Sequence, residues 1–204
     1  MSSRPIAVAF TGASGIAYGL RLVECLLAAG RDVQLLYSQA AQVVARMELE
    51  MELPSSAEQA GVLLRERFGV TEERLQVFGR QQWTAPVASG SNPPDALVVC
   101  PCTTGTLASI AHGISDDLID RAADVMLKER RRLILVVRET PFSAIHLENM
   151  LAVTRAGGVV MPANPGFYYR PEKVEDLVDF MVARVLDHLE VAHDLLPRWG
   201  AGRS

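Results

Sequence analysis

The chain has 204 residues and a formal net charge of −4 at pH 7; 49% of its residues are hydrophobic and 22% are charged. This length supports a core that needs neither disulfides nor metals, so we expect residues 1–204 to form one domain. The acidic balance excludes a general nucleic-acid binder and a membrane-surface binder, and any bound phosphate needs a local basic cluster.

Targeting and metal-binding signals are weak. The first apolar run, 6–10, is too short for a signal peptide, and no segment reaches membrane-spanning length. Three cysteines, an odd count, favour a reducing cytoplasm. Cys100 and Cys102 are one residue apart, unlike a redox Cys-x-x-Cys pair, and further ligands are scattered singly. We therefore expect no metal site and interpret both cysteines as small buried residues at a strand end.

Short apolar runs alternate with segments of helical period along the whole chain. In chain order the pattern predicts strand 6–10, helix 16–29, strand 33–37, helices 39–49 and 57–68, strand 75–78, strand 96–100, helices 104–112 and 117–130, strand 133–137, helix 145–156, strand 159–161 and helix 174–189. Ser55 and Glu58 form a predicted capping box, and Gly69 a helix stop.

This alternation predicts an α/β fold, a single-domain doubly wound parallel sheet of the Rossmann or flavodoxin-like kind. Most of the predicted strands are apolar throughout, as strands covered on both faces are. Ligands of such folds bind beyond the carboxyl ends of the strands. The loops that follow the strands are therefore the candidate site.

Small residues and hydroxyls fill those loops. Thr11-Gly-Ala-Ser-Gly15 follows the first strand and opens a helix, which favours an anion, but it lacks the G-x-G-x-x-G dinucleotide fingerprint. Ser38 follows the second strand, where a simple helix cap is the alternative. Thr103-Thr-Gly-Thr106 opens another helix. Paired small-hydroxyl loops favour a mononucleotide such as FMN over a dinucleotide.

Charged residues near these loops have two interpretations. Arg121 and Lys128 are seven residues apart and share a helix face, either as a phosphate site or as solvated partners of Asp124, and the spacing slightly favours the pairing. Arg138 and Glu139 end an apolar strand, where a surface salt bridge of little energy is the alternative.

Taken together, seven motifs resemble the flavin prenyltransferase family (UbiX), within the flavin-containing cysteine decarboxylase-like superfamily. In chain order they are Thr11-Gly-Ala-Ser-Gly15, Ser38-Gln-Ala-Ala41, Pro101-Cys-Thr-Thr-Gly-Thr106, 118–131, Arg138-Glu-Thr-Pro-Phe-Ser143, Ile145-His-Leu-Glu-Asn-Met150 and Pro162-Ala-Asn-Pro-Gly-Phe-Tyr168. The resemblance covers most of the chain.

The resemblance implies a metal-independent transfer of a dimethylallyl group from dimethylallyl phosphate to reduced FMN. The product, prenylated FMN, passes to a UbiD-type decarboxylase, and members assemble as dodecamers. The implied FMN contacts are Gly12, Ala13, Ser14, Ser38, Thr103, Thr104, Gly105, Thr106 and Arg138. The implied substrate contacts are Gly90, Arg121, Lys128, Tyr168 and Arg184. The implied catalytic residues are Glu48 and Glu139 as acid-base groups, Trp83 beside the allyl group, and Ser14.

Two departures from the family pattern bear on the flavin. The family's usual lysine at position 39 is Gln39, and its usual Asn-Asn before the 118–131 motif is Asp116-Asp117.

An FMN-dependent cysteine decarboxylase and a non-enzymatic flavin-binding module remain the alternatives. The first would carry Pro-Ala-Ser-Ala-Asn-Thr at 101–106, and the second has no need of Lys128, Tyr168 and Arg184. Trp199, on an apolar tail, adds a hint of burial against a neighbouring subunit.

Overall fold

A computed structural model describes residues 4–197. The strands are β1 Ile6–Phe10, β2 Val33–Tyr37, β3 Leu75–Phe78, β4 Ala96–Cys102, β5 Arg132–Val137 and β6 Val159–Pro162. The helices are α1 Ile16–Ala28, α2 Gln39–Leu49, α3 Ala57–Phe68, α4 Thr104–Ala111, α5 Leu118–Lys128, α6 Ala144–Arg155 and α7 Val174–Leu189. A short 3-10 turn lies at Pro86–Ala88. No helix among the described residues is both long and apolar enough to cross a membrane.

The six strands form one parallel sheet in the order β3-β2-β1-β4-β5-β6. The strand order reverses between β1 and β4, so the chain is doubly wound and the predicted fold class is confirmed. The carboxyl ends of β1 and β4 are adjacent, which is where a parallel sheet of this kind opens a crevice.

Apolar residues pack on both faces of the sheet. On β1, Ile6, Val8 and Phe10 join one buried cluster and Ala7 and Ala9 join the other, as the two-residue period of a strand requires. Helices α1 and α7 pack into the first cluster, and helix α5 packs into the second. Therefore α5 and α7 lie on opposite faces of the sheet.

Most predicted boundaries agree with the structure to within two residues. The predicted strand at 96–100 is short, because β4 continues to Cys102 with an irregular register against β5. Asp117 is the N-cap of α5 and not its first residue. The prediction that Ser55 caps α3 is wrong: Ser56 accepts from the amide of Gln59. Trp199 lies outside the described residues.

Candidate active site

Three loops meet at the carboxyl edge of the central strands, after β1, β2 and β4. Thr11 ties the first loop to the third: its Oγ1 donates to the carbonyl of Pro101 at 2.7 Å and accepts from the amide of Thr103 at 2.9 Å. The side chain is buried. Sequence reasoning treated Thr11 only as the start of a loop, since nothing in a single sequence predicts a bond across 90 residues.

The first and second loops are in direct contact. A β-carbon at Gly12 would collide with the β-carbon of Ala40, so the close approach requires glycine. Ser38 caps α2 by accepting from the amide of Ala41 at 3.1 Å. The capping interpretation of Ser38 is thus confirmed, and its position beside Gly12 also keeps it at the edge of the candidate site.

The third loop opens helix α4. Thr103 Oγ1 accepts from the amide of Thr106 at 3.1 Å and donates to its hydroxyl at 3.0 Å. The side chain of Thr103 is therefore fixed by the helix start. Gly105, between them in sequence, is exposed. Because the Thr103 hydroxyl is already bonded, the polar groups of this loop that can bind a ligand are its backbone amides and the oxygen of Thr106.

These loops enclose a pocket of about 430 Å³, called here the flavin pocket. Its lining comprises Thr11, Gly12, Ser38, Gln39, Ala40, Arg80, Thr103, Gly105, Thr106, Ser109, Asp116, Asp117 and Asp120. The predicted contacts that do not line it are Ala13, Ser14, Thr104 and Arg138. The flavin pocket thus joins three loops that are distant in sequence.

Ser14 and its neighbours form a second side of the site, at the start of α1. Glu48, near the end of α2, accepts from the amide of Gly15 through both carboxylate oxygens at 3.0 Å and from the amide of Ile16 at 3.1 Å. No other side chain caps this helix. Glu48, the predicted acid-base residue, therefore caps α1 from 33 residues away in sequence. Its negative charge interacts favourably with the positive end of the helix dipole.

Tyr18 is a site residue that sequence reasoning missed. Its ring lies against Gly15, since a β-carbon there would meet two ring atoms within 2.7 Å. Burial raises the pKa of Tyr18, Cys100 and Glu48 raise it further, and Arg138 lowers it. These effects place Arg138, Glu48 and Tyr18 in one electrostatic environment. The phenol stays protonated at neutral pH and is available as a hydrogen-bond donor.

Arg80, which follows β3, is a second residue that sequence reasoning missed. Its Nε donates to Oδ2 of Asp117 at 3.1 Å. Oδ1 of Asp117 caps α5 by accepting from the amides of Ile119 and Asp120 at 2.9 and 3.0 Å. Arg80 lines the flavin pocket, but its charge is already paired with the cap of α5.

The predicted substrate contacts fall into two groups. Gly90 and Lys128 form one, because a β-carbon at Gly90 would collide with the side chains of Lys128 and Glu129. Lys128 pairs with Glu129, and Arg121 pairs with Asp124 at 2.7 Å. Within one chain Arg121 therefore forms the predicted ion pair with Asp124. Lys128 was expected within reach of Asp124, and its partner is Glu129 instead.

Tyr168 and Arg184 form the second group, in a cavity of about 690 Å³ beside α7. Tyr169 and Phe180 line the same cavity. Arg184 is half-exposed and donates to Asp187 at 2.6 Å. Arg184 is thus a cation beside aromatic side chains, as the sequence predicted for the substrate phosphate, but its charge is paired with Asp187.

One chain does not bring the two substrate groups together. Lys128 ends α5 and Arg184 lies on α7, and the sheet separates these helices. Lys128 is eight residues beyond Asp120, which lines the flavin pocket, and so lies about 12 Å further along the helix axis. Within a single subunit the flavin loops lie at the carboxyl ends of the strands. Lys128 therefore lies toward the other end of the strands.

The remaining predicted catalytic residues lie in surface loops. Trp83, between β3 and the 3-10 turn, is 46% exposed. Glu139 follows β5, and its Oε1 accepts from the amide of Thr140 at 3.0 Å. Neither side chain has a hydrogen bond to the flavin pocket among the described residues.

Cys100 and Cys102 lie in the core and not at the surface of the site. Cys100 and Cys102 are fully buried in β4, and burial raises the pKa of both thiols, so both remain protonated. The interpretation of these residues as small buried groups at a strand end is confirmed. Among residues 4–197, no group of three or more acidic, histidine or cysteine side chains is placed to hold a metal ion.

Comparison with known proteins identifies the family. The Flavoprotein family model matches residues 1–186. The flavin prenyltransferase UbiX of Pseudomonas aeruginosa is 53% identical over 195 residues, which cover 96% of this chain and 93% of that protein. The chain belongs to the flavin prenyltransferase family.

Solved structures of other members have the same fold. A UbiX protein crystallised with FMN and dimethylallyl pyrophosphate is 40% identical, with a TM-score of 0.87 over 98% of this chain and 100% of that one. A dodecameric FMN-dependent UbiX-like decarboxylase from Escherichia coli O157:H7 is 38% identical, with a TM-score of 0.83 over 97% of this chain and 100% of that one.

Both departures from the flavin prenyltransferase pattern fall within the flavin pocket. Gln39, in place of the usual lysine, lines it, as do Asp116 and Asp117, in place of asparagines. Together these changes make the pocket more acidic than the family pattern implies. Asp117 still caps α5, because a carboxylate accepts from backbone amides as an asparagine oxygen does.

Proposed function

We propose that this chain is a flavin prenyltransferase that transfers a dimethylallyl group from dimethylallyl phosphate to reduced FMN, with release of phosphate. The observation that carries the proposal is the flavin pocket, in which three loops far apart in sequence supply small residues and hydroxyls at one edge of the sheet. Its volume, about 430 Å³, is within the usual range for small-molecule sites.

The residues of the pocket suit FMN. Gly12 and Gly105 allow a ligand to approach the backbone, and the starts of α2 and α4 direct amides toward it. Ser38 and Thr106 add oxygens that exchange hydrogen bonds with a polyol chain. Arg138, near Tyr18 and Glu48, supplies a positive charge on the other side of the β1 loop. We infer that Ala13, Ser14 and Thr104 contact the flavin through this same edge.

Prenyl transfer breaks the bond between carbon and oxygen of dimethylallyl phosphate, and the phosphate leaves with the electron pair. Lys128 and Arg184 stabilise the leaving phosphate, in the role that a metal ion has in other prenyl transfers. The electron-rich face of Trp83 or Tyr168 stabilises the developing allyl cation. Nitrogen 5 of the reduced flavin forms a bond to the allyl carbon and loses its proton. The remaining double bond then takes up a proton as carbon 6 bonds to it, and carbon 6 loses its own proton; Glu48, Glu139 or the phosphate exchanges these protons.

The substrate phosphate site requires more than one subunit. Lys128 and Arg184 lie on opposite faces of the sheet, so they contact one phosphate only if different subunits contribute them. The exposed apolar residues of α6, Ile145, Leu147 and Leu151, are suited to burial between subunits. We infer a closed homo-oligomer, a dodecamer as in the E. coli relative, in which Gly90, Arg121 and Lys128 of one subunit complete the site of another.

The product implies a partner. Prenylated FMN is a cofactor for another enzyme, and we infer that a UbiD-type decarboxylase receives it. We also infer a cytoplasmic location, since FMN and reduced thiols are available there, and one domain spanning residues 1–204, since both apolar clusters pack on one sheet.

The decisive experiment is anaerobic incubation of the protein with FMNH₂ and dimethylallyl phosphate, followed by mass spectrometry of the extracted flavin. We expect a flavin heavier than FMNH₂ by one C₅H₈ unit, without added metal and in the presence of EDTA. Tight FMN binding with no change in flavin mass would favour a flavin-binding module instead. Decarboxylation of a cysteine-terminated peptide would favour the cysteine decarboxylase.

A further inference from the structure

Asp120 is a buried acid in the flavin pocket that the proposed mechanism does not use. It lies in the first turn of α5, is 8% exposed, and lines the pocket with Thr106 and Ser109. Acidic side chains are rarely this buried without a partner. The position therefore calls for a group that binds the carboxylate.

None of the residues 4–197 supplies such a group. Within residues 4–197 the Asp120 carboxylate has neither a hydrogen bond nor an ion pair, although the charge of Arg80 acts on it from a distance. Asp117, one turn earlier, contrasts with it, because it binds Arg80 and two backbone amides. Burying a carboxylate without donors is costly, so Asp120 is primed to accept a hydrogen bond from a ligand.

The charges around Asp120 come from several elements. Burial is the largest cause that raises the pKa of Asp120, Asp117 and Asp116 add to it, and Arg80, from the loop after β3, opposes them; together they bring the pKa to about 7. The thiol of Cys102, on β4, also faces it and stays neutral. Near neutral pH the carboxyl is thus divided between its protonated and ionised forms, and a ligand determines which one predominates.

We propose that Asp120 is a further flavin-binding residue, whose carboxylate accepts a hydrogen bond from a hydroxyl of the ribityl chain of FMN. The inference rests on the proposed function only in taking FMN as the ligand. It assigns the polyol, rather than the phosphate, to the α5 side of the flavin pocket.

Charge decides between the polyol and the phosphate. Three acids line the pocket here, and Arg80, the only cation that residues 4–197 contribute to its lining, is already bonded to Asp117. A phosphate beside them would meet repulsion from Asp116, Asp117 and Asp120 without a free positive charge. A hydroxyl instead donates to the ionised carboxylate and satisfies it without adding charge.

This assignment predicts a pH dependence of known sign. A donor to the carboxylate favours its ionised form, so flavin binding lowers the pKa of Asp120 and releases a proton. FMN and riboflavin affinity should therefore rise as the pH increases from 6 to 8. A phosphate neighbour would favour the protonated form, and FMN affinity would fall over the same range.

The test measures flavin dissociation constants by fluorescence quenching at pH 6, 7 and 8, for the full chain and for Asp120→Ala and Asp120→Asn. FMN, riboflavin and lumiflavin are compared, because lumiflavin lacks the ribityl chain. Glu66→Gln is the control, since it removes one negative charge from an exposed position of α3 that does not line the flavin pocket. Circular dichroism checks that each variant is folded.

We expect Asp120→Ala to weaken FMN and riboflavin about tenfold at pH 8, as a lost hydrogen bond to a charged group implies, and to leave lumiflavin within about twofold. Asp120→Asn keeps an acceptor, so it should lose less affinity and abolish the pH dependence. Glu66→Gln should stay within about twofold of the unmodified protein.

Other outcomes overturn the inference. Tighter FMN binding by Asp120→Ala with riboflavin unchanged would place the phosphate at Asp120. Equal losses for all three flavins would indicate a general effect on the pocket, and unchanged affinities would remove Asp120 from the site. If the unmodified protein binds and prenylates FMN while the variants match it, this inference alone fails. If the unmodified protein binds no flavin, the proposed function fails as well.

Discussion

Replacing Glu48 tests whether a predicted acid-base residue also stabilises the fold. Three short bonds join its carboxylate to the amides of Gly15 and Ile16, and α1 has no other side-chain cap and no acid in its first turn. Glu48→Ala therefore leaves the start of α1 uncapped. That helix packs against β1 and α7, so the loss is transmitted to the core.

The magnitude follows from what helix caps contribute. Loss of an N-cap costs about 1 kcal/mol of the free energy of unfolding, and an exposed charge at a helix end adds a few tenths of that. For a chain of this size about 1 kcal/mol corresponds to a fall of roughly 2 to 4 °C in the melting temperature. Glu48→Gln keeps an acceptor oxygen but loses the charge, so it should lose about half as much.

The assay is thermal unfolding followed by far-UV circular dichroism at pH 7, without flavin. Glu52→Ala is the control, because Glu52 is an exposed glutamate close by in sequence that has a single surface ion pair with Arg46. Such pairs contribute little, so the control should melt within about 1 °C of the unmodified protein. If Glu48→Ala melts with the control, the carboxylate does not cap α1 in solution and the argument from the hydrogen bonds is wrong.

Three further predictions concern the proton, the pH and the subunits. Glu139→Gln should bind FMN with unchanged affinity and slow prenylation in anaerobic single-turnover assays; an unchanged rate would exclude Glu139 from proton transfer. Because the pKa of folded Asp120 is raised to about 7 from 3.8, the folded state holds a proton that the unfolded state has lost between these values, so stability should fall as the pH rises from 4 to 7. Urea unfolding at pH 5 and 8 should show this fall and Asp120→Asn should reduce it; equal slopes in both proteins would contradict it. Lys128→Ala and Arg184→Ala should each lose prenylation about ten- to a hundredfold, and oligomers reassembled from both variants should recover part of the activity. No recovery in mixed oligomers would contradict a site shared between subunits.

The sequence predicted the fold well because the sheet is buried on both faces. Strands β1, β2 and β3 begin and end where the apolar runs do, and α2, α3 and α7 also match their periodic segments. The error at β4 has a local cause. The strand continues through Pro101 to Cys102, and proline in a central strand argues against such an extension.

The site was only partly predictable, since its decisive contacts are long-range. The threonine loops could be read from the sequence because hydroxyls and glycine at a strand end have a local signature. Glu48 reaches the start of α1 across 33 residues. Asp120 lies about 200° around α5 from Leu118, so helical periodicity predicts exposure, yet the side chain is 8% exposed. The first turn of α5 is buried on nearly all sides, and tertiary packing overrides its pattern.

Glu48 and Asp120 together suggest how an acidic protein prepares a site for an anionic flavin. One carboxylate accepts hydrogen bonds from the amides at the start of α1, and another is buried without donors among residues 4–197, in the first turn of α5. Glu48 fixes the start of α1 through the protein's own amides, whereas Asp120 lowers the stability of the folded protein above pH 4, because its pKa is raised. A hydroxyl donor on the flavin would relieve that cost on binding, so flavin affinity and apoprotein stability should change in opposite directions at Asp120. At Glu48 no such opposition is expected, because its carboxylate already accepts hydrogen bonds from the amides of Gly15 and Ile16. Flavin-binding and unfolding assays on variants of both residues therefore distinguish Asp120, an acid that binds the ligand at a cost in stability, from Glu48, an acid that also stabilises the fold.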